Sequence, residues 1–198
     1  MPLGIRRAAV AGFALALSVA LAACTTTAQQ TPTDTTAAPA AAHNAADTEF
    51  AQMMIIHHEG AIEMADLAVQ RATTPEVTAL GERITAAQGP EIDLMTGWLQ
   101  EWGEPVNPDM AGMDHGGMDM DGMDQAAAME ELAGLTGVDV DRRFLDLMTA
   151  HHEGAITMAR AVIDAGQNPD VQQLAQQIVD AQTAEIAEMA KLRAGLPG

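Results

Sequence analysis

Phe50-Ala51-Gln52-Met53-Met54-Ile55-Ile56-His57-His58-Glu59-Gly60-Ala61-Ile62-Glu63-Met64 is echoed downstream by Phe144-Leu145-Asp146-Leu147-Met148-Thr149-Ala150-His151-His152-Glu153-Gly154-Ala155-Ile156-Thr157-Met158. Phe, Met, His-His, Gly-Ala-Ile and Met fall at the same places in both. Four of the six histidines in the chain stand in these two blocks. A chain that places its histidines twice in the same thioether company points to a metal site. A single methionine on an apolar helix face is more often a gap-filler, and a single histidine there is usually a hydrogen-bonded core residue. It is the duplication of the pair with its neighbours that tilts the reading.

The repeat is longer than the motif. At a constant offset of 94 residues, Asp47 matches Asp141, Thr74-Pro75-Glu76-Val77 matches Asn168-Pro169-Asp170-Val171, and Leu80, Ile84, Gln88, Glu91, Ile92 and Met95 match Leu174, Ile178, Gln182, Glu185, Ile186 and Met189. This is an internal duplication of a two-helix unit. Thr74 and Asn168 are suitable N-caps, each followed by proline at the first helical position and an acid in the first turn. The punctuation predicts helices over about 46–71, 75–102, 139–165 and 169–194. Short loops make antiparallel hairpins of the first and last pairs, and two like hairpins bury their apolar faces best against each other. The expected fold is all-α, a four-helix bundle made of two duplicated helical hairpins, with a long segment at about 103–138 joining the halves.

At roughly 100° per residue, Phe50, Ala61 and Ala65 share the face of Met54, and His57 and His58 flank that face on either side. The second unit repeats the geometry. Met54 can meet either histidine on one face, being three and four residues away. Met64 stands about 10 Å further along the axis than His57 and would join a second layer or a ligand from another helix. Glu91 and Met95, with Glu185 and Met189, are repeated on the second helices and could close such sites. Candidate bundle ligands are therefore Met54, His57, His58 and Met64, with Met148, His151, His152 and Met158. Thioether sulfur is soft and suits Cu(I), whereas zinc more often recruits cysteine or a His/carboxylate set. A di-iron bundle would need Glu-x-x-His on paired helices, and Glu91-x-x-Leu94 and Glu185-x-x-Glu188 lack that histidine.

The connecting segment carries its own signal. Met110, Met113, His115, Met118, Met120 and Met123 stand among glycines and aspartates without helical periodicity. Exposed thioethers are vulnerable to oxidation, so a dense run of them suggests a task. Such clusters resemble Cu(I)- or Ag(I)-capturing segments of extracytoplasmic copper-handling proteins, with a low-complexity linker as the alternative.

The N-terminus reads as a processing signal: Arg6-Arg7, an apolar run over Ala8 to Ala20, then Leu21-Ala22-Ala23-Cys24. Leu-Ala-Ala-Cys resembles the lipobox of bacterial lipoproteins, with Cys24 as the acylated residue after removal of 1–23. Cys24 is the only cysteine, which excludes a disulfide framework and thiolate metal sites. Residues 24–44 are rich in Thr, Ala, Pro and Gln and read as a flexible tether to the membrane, leaving 45–198 for the bundle. The formal charge of −19 becomes more negative once Arg6 and Arg7 are gone. Such acidity disfavours nucleic-acid binding.

The motif Phe50-x-x-x-Met54-x-x-His57-His58-x-x-Ala61-x-x-Met64 and its copy from Phe144 to Met158 resemble the domain-of-unknown-function family 305, a ferritin-like group that includes CopM-type copper-binding proteins. The resemblance covers both repeats. It implies a ferritin-like four-helix bundle and extracytoplasmic copper binding, with the family's His pair and following Met falling on His57, His58 and Met64 and on His151, His152 and Met158. The leading expectation is a lipid-anchored, non-enzymatic protein of the cell envelope that sequesters Cu(I) or hands it to another copper-handling protein. The alternatives are a metal-dependent oxidase of Cu(I) or Fe(II), and a metal-free envelope scaffold.

Overall fold

A computed structural model describes residues 42–107, 119–120 and 123–197, with backbone alone at 119–120 and 123–124. Cys24, the leader, most of the tether and Met110, Met113, His115 and Met118 lie outside the described residues, and nothing is described of the Met120 and Met123 side chains. Helix α1 (Ala45–Arg71) turns back through three residues into α2 (Pro75–Trp102), and α4 (Val138–Ala165) does the same into α5 (Pro169–Gly195). These four helices follow the spans expected from the punctuation. Within the connecting segment stand two two-residue strands, β1 (Asp119–Met120) and β2 (Met123–Asp124), paired antiparallel, and a further helix, α3 (Gln125–Gly134). No described helix is long and apolar enough to cross a membrane.

Each boundary has a local cause. Asn44 opens α1 with a capping box: its side chain accepts from Asp47 N–H at 3.1 Å, and the Asp47 carboxylate accepts from Asn44 N–H at 2.9 Å. Asn168 caps α5 by accepting from the N–H groups of Asp170 and Val171. Thr74 does not cap α2 through its side chain, contrary to the expectation from sequence. Its hydroxyl donates instead to Asp141 on α4 at 2.5 Å. Gly103 ends α2 in the left-handed region at φ 75°, where a side chain would be strained.

The two hairpins are buckled together by a reciprocal pair of acids. Asp47 on α1 accepts from the N–H groups of Gln167 and Asn168, at the turn of the other hairpin. Asp141 on α4, its counterpart in the repeat, accepts from the N–H and hydroxyl of Thr73 and the hydroxyl of Thr74. Both carboxylates are fully buried. Burying an acid is costly unless donors surround it, and here each hairpin supplies the donors for the other's acid.

Helices α1 and α4 form the seam between halves, and the core divides about it into two pseudo-symmetric clusters. One holds Met64, Leu80, Ile84, Phe144, Met148 and Met189. The other holds Phe50, Met54, Met95, Leu174 and Ile178, with Met158 half-buried against it. Small residues let the α1–α2 hairpin close: a Cβ on Gly81 would stand 3.1 Å from the Ala65 carbonyl oxygen and from Val69. Helix α3 lies on the first cluster through buried Ala128 and Leu132, one turn apart. Ten residues with so short an apolar stripe would not hold a helix alone, and packing on α1 and α4 supplies what sequence periodicity does not reveal.

Candidate metal centre

All four motif histidines point into the bundle and are at most 1% exposed. His57 from α1 and His151 from α4 meet across the seam, with ring centroids 3.7 Å apart and planes tilted by 46°. Neither nitrogen of either ring has a hydrogen-bond partner. Four desolvated imidazole nitrogens without partners are unusual, because buried polar groups nearly always find one. Burial, reinforced by the neighbouring His151, His58 and His152, pulls the His57 pKa from 6.5 to about 2. Burial, with His152 and His58, pulls His151 to about 3. Both rings are therefore neutral at physiological pH and each carries one free lone pair, the state that a metal requires.

His58 and His152 are held differently. His58 Nε2 lies 2.6 Å from Glu91 Oε2 on α2, and His152 Nε2 lies 2.7 Å from Glu185 Oε2 on α5. An ionised carboxylate only accepts, so Nε2 carries a hydrogen in each ring, and a lone pair left for a metal would be on Nδ1. Both Nδ1 atoms are buried and unpartnered. The carboxylate thus fixes tautomer and ring orientation, as outer partners of metal-bound histidines commonly do. Glu91 and Glu185, singled out in sequence as possible closures of the site, meet the rings from α2 and α5.

Among the described residues no three His, Cys, Asp or Glu side chains gather into a ready ion site. The imidazoles of His57 and His151 touch ring to ring, and would have to turn apart for both to grip one ion. A donor set built here could draw on sulfur as well as nitrogen. It is at hand: Met54 and Met148 are fully buried one turn before the histidines, and Met64 is fully buried one to two turns after them. Met158 is half-buried and lies toward the surface. The clusters regroup these methionines across the seam, so that Met64 joins Met148 and Met189, while Met158 joins Met54 and Met95. Each cluster therefore draws its thioethers from at least three helices. The Thr149 hydroxyl, beside Met148, contacts Met189 sulfur at 3.8 Å.

Two polar features have roles that residue type alone does not announce. Asp47 and Asp141 sit on the inward stripe seven residues before Met54 and Met148, and a repeated acid at a buried phase is the signal for the buckle described above. Gln125, at the start of α3, donates to the Gly60 carbonyl oxygen at 3.0 Å. A Cβ on Gly60 would meet that Gln125 side chain at 3.1 Å, so the glycine gives α3 its seat beside the His57-His58 turn.

Comparison with known proteins agrees with this fold. The family described as Domain of unknown function (DUF305) matches residues 47–193. No curated protein matches the chain. Among solved structures, a DUF305 protein of Streptomyces coelicolor described as secreted is 34% identical, with a TM-score of 0.69 over 77% of this chain and 96% of its own. A DUF305 fragment from Deinococcus radiodurans is 30% identical, with a TM-score of 0.70 over 77% and 98%. CopM in its Cu(II)-bound form is 36% identical, with a TM-score of 0.65 over 75% and 95%. CopM has also been solved in Cu(I)- and Ag-bound forms. With the family match spanning both repeats, the chain belongs to the DUF305 family.

Proposed function

We propose that this protein binds copper, as Cu(I), outside the cytoplasm and sequesters it or hands it to another copper-handling protein. The observation that carries the reading is the group of unpartnered, buried imidazole nitrogens on His57, His58, His151 and His152, with buried Met54, Met64 and Met148 within two turns on the same helices. Neutral imidazole and thioether together suit a soft, monovalent ion. The likeness to CopM, solved with Cu(II), Cu(I) and Ag, supports copper as the ion, and its Cu(I) and Ag forms are in keeping with a monovalent one. The Leu-Ala-Ala-Cys24 signal supports a lipid anchor, and the likeness to a protein described as secreted supports the extracytoplasmic side. The Met110–Met123 segment acts as a capture arm of lower affinity. We read the protein as a binding protein and not an enzyme.

Equilibrium dialysis of the full chain against Cu(I) tests this. Copper should be retained, and retention should fall when His57, His58, His151 and His152 are replaced by Ala. Undiminished uptake in that variant would remove the bundle from the mechanism. An absence of uptake by the native chain would leave the imidazoles and thioethers as packing.

A further inference from the structure

The pseudo-twofold relationship between the halves breaks down at one place on the surface. A cavity of about 280 Å³ opens between the start of α1 and the end of α4, walled by Phe50, Met53, Met158 and Val162 and rimmed by Glu49 and Ala165. At the 94-residue offset these six positions correspond to Phe144, Leu147, Met64, Ala68, Arg143 and Arg71. Those residues make the seat of α3. Phe144, Leu147, Met64 and Ala68 share a cluster with Ala128 and Leu132 of α3. Arg143 pairs with Glu131 of α3 at 2.6 Å. Arg71 donates to the carbonyl oxygens of Ala133 and Leu135, the latter at 2.8 Å, where α3 ends. The open groove is thus the twin of a groove that this same chain fills with a short helix.

Among the described residues α3 has no counterpart in the first repeat, and the sequence there does not read as one. The residues that correspond to α3 in the first repeat are Thr31 to Ala40, Thr-Pro-Thr-Asp-Thr-Thr-Ala-Ala-Pro-Ala, with two prolines and no large apolar side chain. Nothing in that stretch can reproduce the buried contacts of Leu132 and Met129. The rim differs as well: where the α3 seat offers Arg143 to an acid, the open groove offers Glu49. A helix that fits here needs the Ala/Leu/Met face of α3 and the opposite charge on its edge.

We propose that the Phe50–Met158 groove is a docking site for a short amphipathic helix of a partner protein, about three turns long, with an Ala/Leu/Met face and a Lys or Arg set against Glu49. The inference does not depend on copper. Its apolar floor supplies affinity, and the exchange of Arg143 for Glu49 supplies discrimination against α3-like acidic helices, including the chain's own.

The probe is a fluorescent peptide of the α3 sequence (Gln125–Gly134) held helical by a side-chain lactam, made with the native Glu131 or with Glu131→Lys. Titrated against the full chain, the lysine peptide should bind about tenfold more tightly than the native one. Glu49→Arg should invert that order, and Ala161→Arg, a change at an exposed position on the groove, should abolish binding of both. Separately, grafting Gln125–Gly137 with Glu131→Lys in place of Thr31–His43 should raise the melting temperature, because the groove is then filled from the same chain. Failure of either peptide to bind, indifference to Glu49→Arg, or a graft without effect on melting overturns the proposal. So does sedimentation of the native chain as a dimer that Ala161→Arg dissociates, because the occupant would then be a second copy. Loss of copper binding with these results intact would overturn only the copper reading.

Discussion

Asp47 Oδ2 accepts a hydrogen bond from Asn168 N–H at 3.1 Å, joining the first turn of α1 to the start of α5 across 121 residues of chain. Asp141 does the same for Thr73 in the other direction, at 2.8 Å. Each acid closes the hairpin that its own repeat does not contain. The motif histidines stand ten residues along from these buckles, so the alignment of α1 with α4, and with it the meeting of His57 and His151, is set partly by acids far from any metal donor.

Replacing Asp47 by Ala should therefore cost far more than an ordinary helix-surface change. It strips an acceptor from the N–H groups of Asn44, Gln167 and Asn168. Loss of a charged, buried acceptor with several donors left unpaired costs about 2–4 kcal/mol. Urea denaturation should show that loss, with Asp141→Ala similar and Asp47→Asn milder. A loss within a few tenths of a kcal/mol would show that water replaces the carboxylate freely.

Gly166 is required by the same buckle. Its φ of −71° suits any residue, so the constraint is not conformational. A Cβ there would lie 2.5 Å from Asp47 Oδ1 and 2.7 Å from the Val162 carbonyl oxygen. Gly166→Ala should destabilise by about 1–3 kcal/mol through overpacking. Ala72 holds the equivalent place in the first repeat without harm, so Ala72→Gly should bring no gain, costing up to about 1 kcal/mol by urea denaturation.

The four long helices are legible in the sequence because their punctuation is chemical and local: Pro75 and Pro169 at first helical positions, and Asn168 as a cap. The inward aim of the histidines is legible from their phase relative to Phe50 and Ala61. What escapes is decided by contacts remote in the chain. Helix α3 depends on a seat made by Phe144, Leu147 and Met64, and the Thr74 hydroxyl leaves its cap position because Asp141 offers a buried charged acceptor. Nor does periodicity reveal that His57 meets His151 while His58 turns to Glu91. The two adjacent rings lie on opposite flanks of the stripe, and which neighbour each finds depends on how the helices pack.

Acid should weaken the metal-free protein through the central rings. An imidazole that titrates at 6.5 when unfolded is held to about 2 at His57 and about 3 at His151 in the native state. Below 6.5 the unfolded chain therefore binds more protons than the native one, and stability falls as pH falls, until the native rings themselves protonate, His151 at about 3 and His57 at about 2. The slope approaches roughly 1.4 kcal/mol per pH unit for each ring. Above 6.5 this contribution is constant. Urea midpoints compared at neutral pH and at about pH 5 should separate, and His57→Leu with His151→Leu should narrow the gap. An unchanged gap in that double variant would assign the acid sensitivity to carboxylates.

The carboxylates behind the outer histidines should matter for copper more than for folding. Oε2 of Glu91 and of Glu185 lies 2.6 and 2.7 Å from Nε2 of His58 and of His152. Glu91→Leu with Glu185→Leu frees both rings and should weaken Cu(I) binding by about 10–100-fold. Glu91→Gln with Glu185→Gln retains an accepting oxygen and should fall between that variant and the native chain. Competition titration with a chromogenic Cu(I) chelator gives the order, and equal affinity in all three proteins would exclude the outer histidines from the site.

Packing and ligation make opposite demands on the methionines, which allows them to be separated. Met64, Met148 and Met189 belong to one core cluster and are fully buried. Leucine fills almost the same volume and costs less than about 1.5 kcal/mol at such positions, but it has no sulfur. If these side chains only pack, the triple Met→Leu variant should melt close to the native protein with or without Ag(I), the redox-stable mimic of Cu(I). If they ligate, the metal-free melting temperature should be nearly kept while the rise on adding Ag(I) shrinks, because a ligand held only by the folded state stabilises it by RT ln(1 + [L]/Kd), about 2.7 kcal/mol at a hundredfold excess over Kd. The same substitutions at Met54, Met95 and Met158 test the other half independently. Because the two groups lie in different clusters on either side of the α1–α4 seam, each triple variant should remove one part of the silver response and leave the other. Complete loss from either triple alone would mean that the ion sits at the seam itself, between His57 and His151, and draws sulfur from both halves.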